Sequence, residues 1–203
     1  MPSITTGRAP TCASASRPAI GVALPSCGRE PARATWPRCP TEETFTTPDP
    51  ARTEGTVRAS KPLALGGGLV EELELRFVDG RAVDVRARRG ADAVRAQLAL
   101  DDGAARLGEI ALVDDSSPLQ QAGVLFYDTL LDESAASHIA WGDGIPDGHR
   151  DYDPARPETL DGLPINHSGT HVDFMIGSPD LTVTGVCRDG TRHDILDGER
   201  WVL

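Results

Sequence analysis

The sequence lacks an excess of positive charge, and it lacks any long apolar run. Its 203 residues carry a formal net charge of −11, whereas proteins that bind nucleic acid present a basic face and anionic membrane surfaces attract basic segments. No apolar stretch is long enough to span a bilayer. We therefore expect neither a nucleic-acid partner nor a membrane partner.

The motifs of several large enzyme classes are also missing. The chain contains no G-x-S-x-G nucleophile elbow, which argues against a serine hydrolase of that type. It contains no P-loop and no G-x-G-x-x-G dinucleotide signature. The run Gly66–Gly68 has neither pattern, and it predicts a loop or a bulge.

Paired cysteines are absent as well. None of the four cysteines, Cys12, Cys27, Cys39 and Cys187, lies in a C-x-x-C pair, so zinc-ribbon spacing is excluded. No apolar segment with a cleavage site follows the first residue, which leaves export unsupported. Reduced thiols in a cytoplasmic protein are the simpler interpretation.

The composition divides the chain near residue 39. With 39% hydrophobic and 25% charged residues, the whole chain fits one domain, or one domain and a tail. Residues 1–38 are rich in Pro, Ser, Thr, Arg and Ala and show no period of 2 or 3.6, which predicts an atypical, poorly ordered segment. The predicted domain covers residues 39–203.

Hairpin signals dominate the second part of the chain. Apolar residues alternate on both sides of Asp79-Gly80, and a second Asp-Gly turn signal stands at Asp189-Gly190. Residues 90–103 have helical spacing, and residues 123–142 predict a strand followed by a helix that ends near Gly142. Strands outnumber helices, so we expect a mixed α/β (α+β) fold with a strand-rich core.

A few polar side chains stand out against this apolar pattern. His171 and Asp173 are two residues apart, which places both on one face of a strand, where they suit a zinc-like or cobalt-like ion or form a surface pair. Glu109 lies within an apolar strand and either faces solvent or has a partner. His138 is typical of a helix C-terminus, and Glu43 of a solvated turn between prolines. His167 is interpreted as a loop residue near the site.

Five blocks of the sequence together resemble a known family. They are PTEETFTTPD, GTVRASKPLALGGGLVEELELRFVDGRAV, LGEIALVDDSSP, GVLFYDTLLDESAASHIAWG and NHSGTHVDFMIGSPDLTVTGV. In their order and wording they are similar to successive blocks of the M29 aminopeptidases, also called the thermophilic metalloprotease or AmpS/AmpT-like family. The resemblance runs from about residue 40 to the C-terminus.

The resemblance implies a site of two divalent metal ions, variously Zn, Co or Mg. It places ligand roles on five residues, namely Glu43, Glu109, His138, His171 and Asp173. Glu43 and Glu109 are also the candidate general bases, with Glu133 as a lesser one. The implied substrates are peptides with a free N-terminus, and the implied assembly is a homodimer.

The sequence departs from the family pattern in two ways. The family commonly has a tyrosine seven residues after the histidine equivalent to His138, and Ile145 stands there instead. Family members are also longer and begin with an N-terminal α/β domain, so we expect that domain to be absent and this chain to be a fragment with a misassigned start.

Three functions follow as hypotheses. The first is a metal-dependent aminopeptidase that removes N-terminal residues at a dinuclear site. The second is a truncated, catalytically impaired metal-binding fragment or interaction module of the same fold, which Ile145 favours. The third is a metal-free β-rich domain.

Overall fold

Antiparallel strands dominate the fold, which is seen in a computed structural model that describes residues 3–6, 20–23, 43–149 and 151–202. The strands in chain order are β1 Ser3–Thr6, β2 Ile20–Ala23, β3 Thr44–Thr46, β4 Glu54–Arg58, β5 Leu63–Leu65, β6 Gly68–Val70, β7 Glu74–Val78, β8 Arg81–Arg86, β9 Leu107–Leu112, β10 His138–Gly142, β11 His171–Met175, β12 Thr182–Val186, β13 Arg192–Asp197 and β14 Arg200–Trp201. The helices are α1 Ala91–Leu98, α2 Pro118–Gln121 and α3 Thr129–Glu133, with 3₁₀ turns at Pro146–Gly148 and Pro157–Leu160. This strand-rich content confirms the predicted α+β class.

The described strands form three sheets. The largest has the order β14-β13-β12-β1-β2-β4-β7-β8, the second has the order β11-β10-β9-β3, and β5 pairs with β6. Neighbouring strands are antiparallel throughout the two larger sheets. The four-stranded sheet contains four of the five predicted ligand residues, and Glu43 directly precedes its strand β3.

Both predicted hairpins are confirmed. Asp79 and Gly80 have φ angles of 49° and 79° and join β7 to β8, which are the two positive values that a type I′ turn requires. Gly190, with φ 85°, turns the chain between β12 and β13, where Val186 pairs with Arg192. The dipeptide signal succeeded because the turn conformation is decided locally.

One apolar cluster joins the two larger sheets through α1. Val94 and Leu98 of α1 belong to the same buried cluster as Phe77 of the large sheet and as Trp141 and Phe174 of the four-stranded sheet. The rings of Trp141 and Phe174 are tilted, with centroids 5.4 Å apart. One face of the four-stranded sheet is therefore core.

The prediction for residues 123–142 has the wrong order of elements. The helix α3 comes first, and His138 begins the strand β10 rather than ending a helix. All five residues of β10 are buried, because the strand lies between β9 and β11. A strand that is buried on both faces loses the alternation by which strands are recognised.

The segment 1–38 lies mostly outside the described residues. Only β1 and β2 of that segment are described, and both pair within the large sheet. The poor order predicted for the rest of the segment stays a prediction. Among the described helices, none is long and apolar enough to cross a membrane.

Candidate metal centre

The register of the four-stranded sheet places polar side chains in a row on one face. Ala140 in β10 pairs with Glu109 on one side and with Asp173 on the other. Residues that pair directly point to the same face of a sheet, and so do residues two apart on one strand. His138 and His171 therefore share that face with Glu109 and Asp173. Both carboxylates are 5% exposed, while Ala140 between them is fully buried.

Glu43 reaches this face from the far edge of the sheet. It directly precedes β3, in which Phe45 pairs with Ala111, and Ala111 pairs in turn with His138. Its Oε2 lies 3.9 Å from His138 Nε2. The structure thus brings together all five residues that the family resemblance proposed as ligands, from four different strands or their ends.

A β-bulge separates the site face from the core face. The register shifts after Ala140, so that Trp141 pairs with Leu107 and Gly108 is the extra residue. Leu107 therefore joins the core beside Trp141, although Glu109, two residues later, faces the site. A Cβ on Gly108 would overlap the carbonyl oxygen of Asp143. The bulge thus needs glycine because another backbone passes against it.

The first potential ligand group consists of Glu109, His171 and Asp173. One ligand atom from each lies within 4.8 Å of the other two. His171 Nε2 is 3.2 Å from Glu109 Oε2 and 3.3 Å from Asp173 Oδ1, and the His171 side chain is 30% exposed. The group is therefore open to solvent through the imidazole.

The second group consists of Glu133, His138 and Asp173, with the same 4.8 Å limit between ligand atoms. Glu133 ends the short helix α3, which packs against β11 and whose N-terminus is capped by the Asp128 side chain. From the sequence, Glu133 is only a lesser candidate for the general base. Its signal as a ligand was its position five residues before His138, which becomes informative only when the helix folds back onto the sheet.

Both site imidazoles present the same nitrogen to the carboxylates. His171 Nδ1 is 2.7 Å from the carbonyl oxygen of Asp143, and His138 Nδ1 is 3.1 Å from that of Ala136. A carbonyl oxygen only accepts, so each Nδ1 carries a proton and donates it. In the neutral ring the lone pair is then on Nε2, which is the nitrogen that faces the site.

The remaining predicted residues lie around this cluster. His167 is a loop residue, as predicted, with a side chain 67% exposed and its Nδ1 3.9 Å from Asp143 Oδ1. Ile145 is half-buried and directly precedes the 3₁₀ turn Pro146–Gly148. Its side chain has no polar atom that could donate a proton or bind an ion.

The electrostatics of the cluster show an excess of negative charge. Burial, together with the charges of Asp173, Glu43 and Glu109, raises the pKa of Glu133 to about 8. Burial opposes a charge on His171, but its contacts with Asp173 and Glu109 outweigh that effect and raise its pKa to about 11. For Asp173, burial is opposed by His171 and His138, which together hold its pKa below the ordinary value.

These residues fit a divalent cation. Asp173 Oδ1 is buried and accepts no well-aligned hydrogen bond within the described residues, although His171 Nε2 is 3.3 Å away. Imidazole nitrogens and carboxylate oxygens are the ligands of zinc and of similar divalent ions. A cation would supply the positive charge that Glu133 lacks and a partner for the buried oxygen of Asp173.

Comparison with known proteins identifies close relatives. A family model described as thermophilic metalloprotease (M29) matches residues 27–201, which begins before the boundary predicted at residue 39. Aminopeptidase T of Thermus thermophilus is 47% identical over 176 residues, covering 82% of this chain and 40% of its own length. Aminopeptidase 2 of Geobacillus stearothermophilus is 44% identical over 167 residues, with the same coverage of 82% and 40%.

A solved structure has the same fold. Wild-type AmpT from Thermus thermophilus superposes with a TM-score of 0.79 at 40% sequence identity, covering 99% of this chain and 50% of that chain. The chain thus spans about 40% of the length of the curated relatives that it matches.

Proposed function

The chain belongs to the thermophilic metalloprotease (M29) family, and from this membership we propose that it is a metal-dependent aminopeptidase that hydrolyses N-terminal residues from peptides at a dinuclear metal site. The observation that carries the proposal is the pair of three-residue ligand groups that share Asp173. A carboxylate common to two groups is what a bridging ligand between two ions requires. Named aminopeptidases among the relatives support the reaction class.

Each ion would be held by three residues. Glu109, His171 and Asp173 would hold one, while Glu133, His138 and Asp173 would hold the other. Glu43, 3.9 Å from His138 Nε2, extends the second set. One imidazole in each set favours Zn or Co over Mg, which prefers oxygen ligands.

The bound ions supply two kinds of chemistry, namely a nucleophilic water near neutral pH and charge stabilisation at the peptide carbonyl. The chain contributes the orientation of the ligands, because each histidine is held by its Nδ1. It also contributes the general base, for which Glu109 and Glu43 are our candidates. Both carboxylates lie within the cluster, Glu109 beside His171 and Glu43 beside His138.

The acidic cluster also accounts for a preference for a free N-terminus. The α-amino group of a peptide is a cation or a neutral donor near neutral pH. The carboxylates around Asp173 attract such a group and would hold it beside the scissile bond. An internal peptide bond offers no equivalent charge.

A second function is favoured by Ile145. The side chain at this position can neither donate a proton nor bind an ion, whereas the family commonly has tyrosine there. A protein that binds metal through the same residues but does not hydrolyse peptides is therefore our alternative. In both cases a homodimer stays a proposal, to be tested by sedimentation velocity.

One experiment separates the proposals. The purified chain is dialysed against Zn or Co, its metal content is measured, and hydrolysis of aminoacyl-nitroanilides is followed. Two equivalents of metal with hydrolysis support the aminopeptidase, and two equivalents without hydrolysis support the binding module. Absence of bound metal contradicts both. His193→Ala, which alters an exposed histidine in β13, is the matched control for loss of an imidazole.

A further inference from the structure

The short turn after β10 provides the main-chain group that orients His171. This turn, Gly142–Gly144, carries the Asp143 carbonyl, whose oxygen is 2.7 Å from His171 Nδ1. The hydrogen bond decides which ring nitrogen faces Glu109 and Asp173. Because the acceptor belongs to the main chain, its position depends on the hydrogen bonds that hold the turn, one of which runs from the Ser168 N–H to Asp143 Oδ1 at 3.0 Å.

Asn166 holds this turn from both ends. Its side-chain Nδ2 donates to the carbonyl of Gly142 at 2.5 Å, and its main-chain carbonyl accepts from the N–H of Gly144 at 2.8 Å. The residues directly before and after Asp143 are therefore both bonded to one residue. Nδ2 also donates to the carbonyl of Gly103 at 2.8 Å, which ties the turn to the loop before β9.

The surroundings leave the turn little freedom to adjust. The Asp143 N–H donates to the carbonyl of Thr170 at 2.7 Å. A Cβ on Gly142 would overlap that same carbonyl, and a Cβ on Gly144 would lie 2.6 Å from Ile165 Cγ2. Close contacts of this kind transmit a displacement instead of absorbing it.

Asn166 is also buried, with 5% of its surface exposed. Replacing its amide by an aliphatic group takes this donor from the buried carbonyl oxygen of Gly142, whereas the carbonyl of Gly103 keeps the N–H of Arg106 at 2.9 Å. A buried acceptor without a donor is costly, so the Gly142 carbonyl shifts toward another partner, and the close contacts of the turn pass this shift on to Asp143. Such a movement carries the Asp143 oxygen away from His171 Nδ1.

We infer that Asn166 is a positioning residue for the metal centre, which acts by fixing the Asp143 carbonyl so that His171 offers Nε2 to the ion. The inference rests on the proposed metal-binding function. Asn166 contacts neither ligand group through any hydrogen bond seen in the described residues, so its effect passes through the turn and His171. Partners that orient a metal-bound histidine typically change metal affinity by 10–100-fold when they are removed.

The test compares wild type, Asn166→Ala and Ser168→Ala. Asn166→Ala removes the amide but keeps the main-chain bond to Gly144. Ser168→Ala removes the hydroxyl's bonds to Asp101 and the bond that it accepts from the Thr170 N–H. It leaves the bonds of Asn166 to Gly142 and Gly144 in place and is therefore the control for a loosened loop. Zinc affinity is measured by competition with a chromophoric chelator, and the ring nitrogens of His171 are assigned by ¹⁵N NMR of the zinc-loaded protein.

We expect Asn166→Ala to bind the zinc ion at the His171 group about 10-fold less tightly than wild type. The ¹⁵N shifts of His171 should then report coordination through Nδ1 in part of the molecules and through Nε2 in the rest, while Ser168→Ala matches wild type in both measurements. Equal zinc affinity in wild type and Asn166→Ala overturns the inference but leaves the proposed function intact. A wild type that binds no zinc overturns both. If Asn166→Ala does not fold, the wild-type spectrum still decides, because coordination through Nδ1 of His171 contradicts the inference.

Discussion

Replacing Glu133 with glutamine should change metal-free stability and metal binding in opposite directions. In the metal-free protein, burial and three neighbouring carboxylates raise the pKa of Glu133 from 4.5 to about 8. Below pH 4.5 the carboxyl is protonated in both the folded and the unfolded chain, and its titration does not affect stability. Between pH 4.5 and 8 only the unfolded chain ionises, so the free energy of unfolding falls as the pH rises, and above pH 8 the loss is complete.

The size of this change in the free energy of unfolding follows from the pKa shift, once it is reduced for screening by solvent. A shift of this size corresponds to an upper limit of roughly 5 kcal/mol at 1.36 kcal/mol per unit. Glu133 is only partly buried, and screening at a half-exposed group leaves about 1–2 kcal/mol. Glutamine cannot ionise, so the metal-free variant should be more stable than wild type by about that amount at pH 8.5, and nearly equal to it at pH 4.5.

The assay is urea unfolding of the chelator-treated protein at pH 4.5, 7 and 8.5, followed by zinc titration of the same samples. The variant should bind the second zinc at least 10-fold more weakly, because it loses an anionic ligand. Glu158→Gln, at an exposed position in the second 3₁₀ turn, controls for loss of one charge. A metal-free variant that is less stable than wild type at pH 8.5 would refute the idea that the carboxylates repel one another.

Three further predictions concern the same site. Asp173→Asn should abolish binding of both metal equivalents, whereas His171→Ala should abolish binding of one and the control His193→Ala should retain two. Elemental analysis measures the metal content, and equal losses in Asp173→Asn and His171→Ala would argue against a shared ligand. Ile145→Tyr should raise kcat for an aminoacyl-nitroanilide by about 10²-fold or more if a proton donor is what the site lacks; an unchanged kcat would exclude that explanation. Chelation of the metal should lower the midpoint of thermal unfolding, since bound ions stabilise the folded state, and an unchanged midpoint would show that no ion is bound.

The sequence predicted those features of the fold that are decided locally. The two Asp-Gly turns succeeded because the dipeptide itself allows the positive φ angles that these hairpins use. The predicted order of helix and strand before Gly142 was wrong because β10 is buried on both faces, so its sequence does not alternate between apolar and polar residues. Whether Glu109 faces solvent could not be decided from its neighbours, since its burial depends on strands β3 and β10, which are distant in sequence.

The candidate site was predictable in a different way. The similarity of the sequence blocks to the family suggested five ligand residues at once, whereas residue type and spacing alone suggested only the pair His171 and Asp173. Glu133 was not predicted as a ligand because its position beside Asp173 depends on how α3 packs against β11. The role of Asn166 was not predicted because its hydrogen-bond partners are main-chain carbonyls, which leave no pattern in the sequence.

The bulge at Gly108 explains how one strand serves both the core and the site. In a regular strand, Leu107 and Glu109 would share a face, and either a leucine would enter the acidic cluster or a glutamate would enter the core. The extra residue turns Leu107 toward Trp141 while Glu109 stays opposite Ala140. The same glycine leaves room for the Asp143 carbonyl that orients His171. Core packing and the geometry of the candidate ligand groups therefore depend on a single backbone irregularity, which ties the stability of the sheet to the arrangement of Glu109, His171 and Asp173.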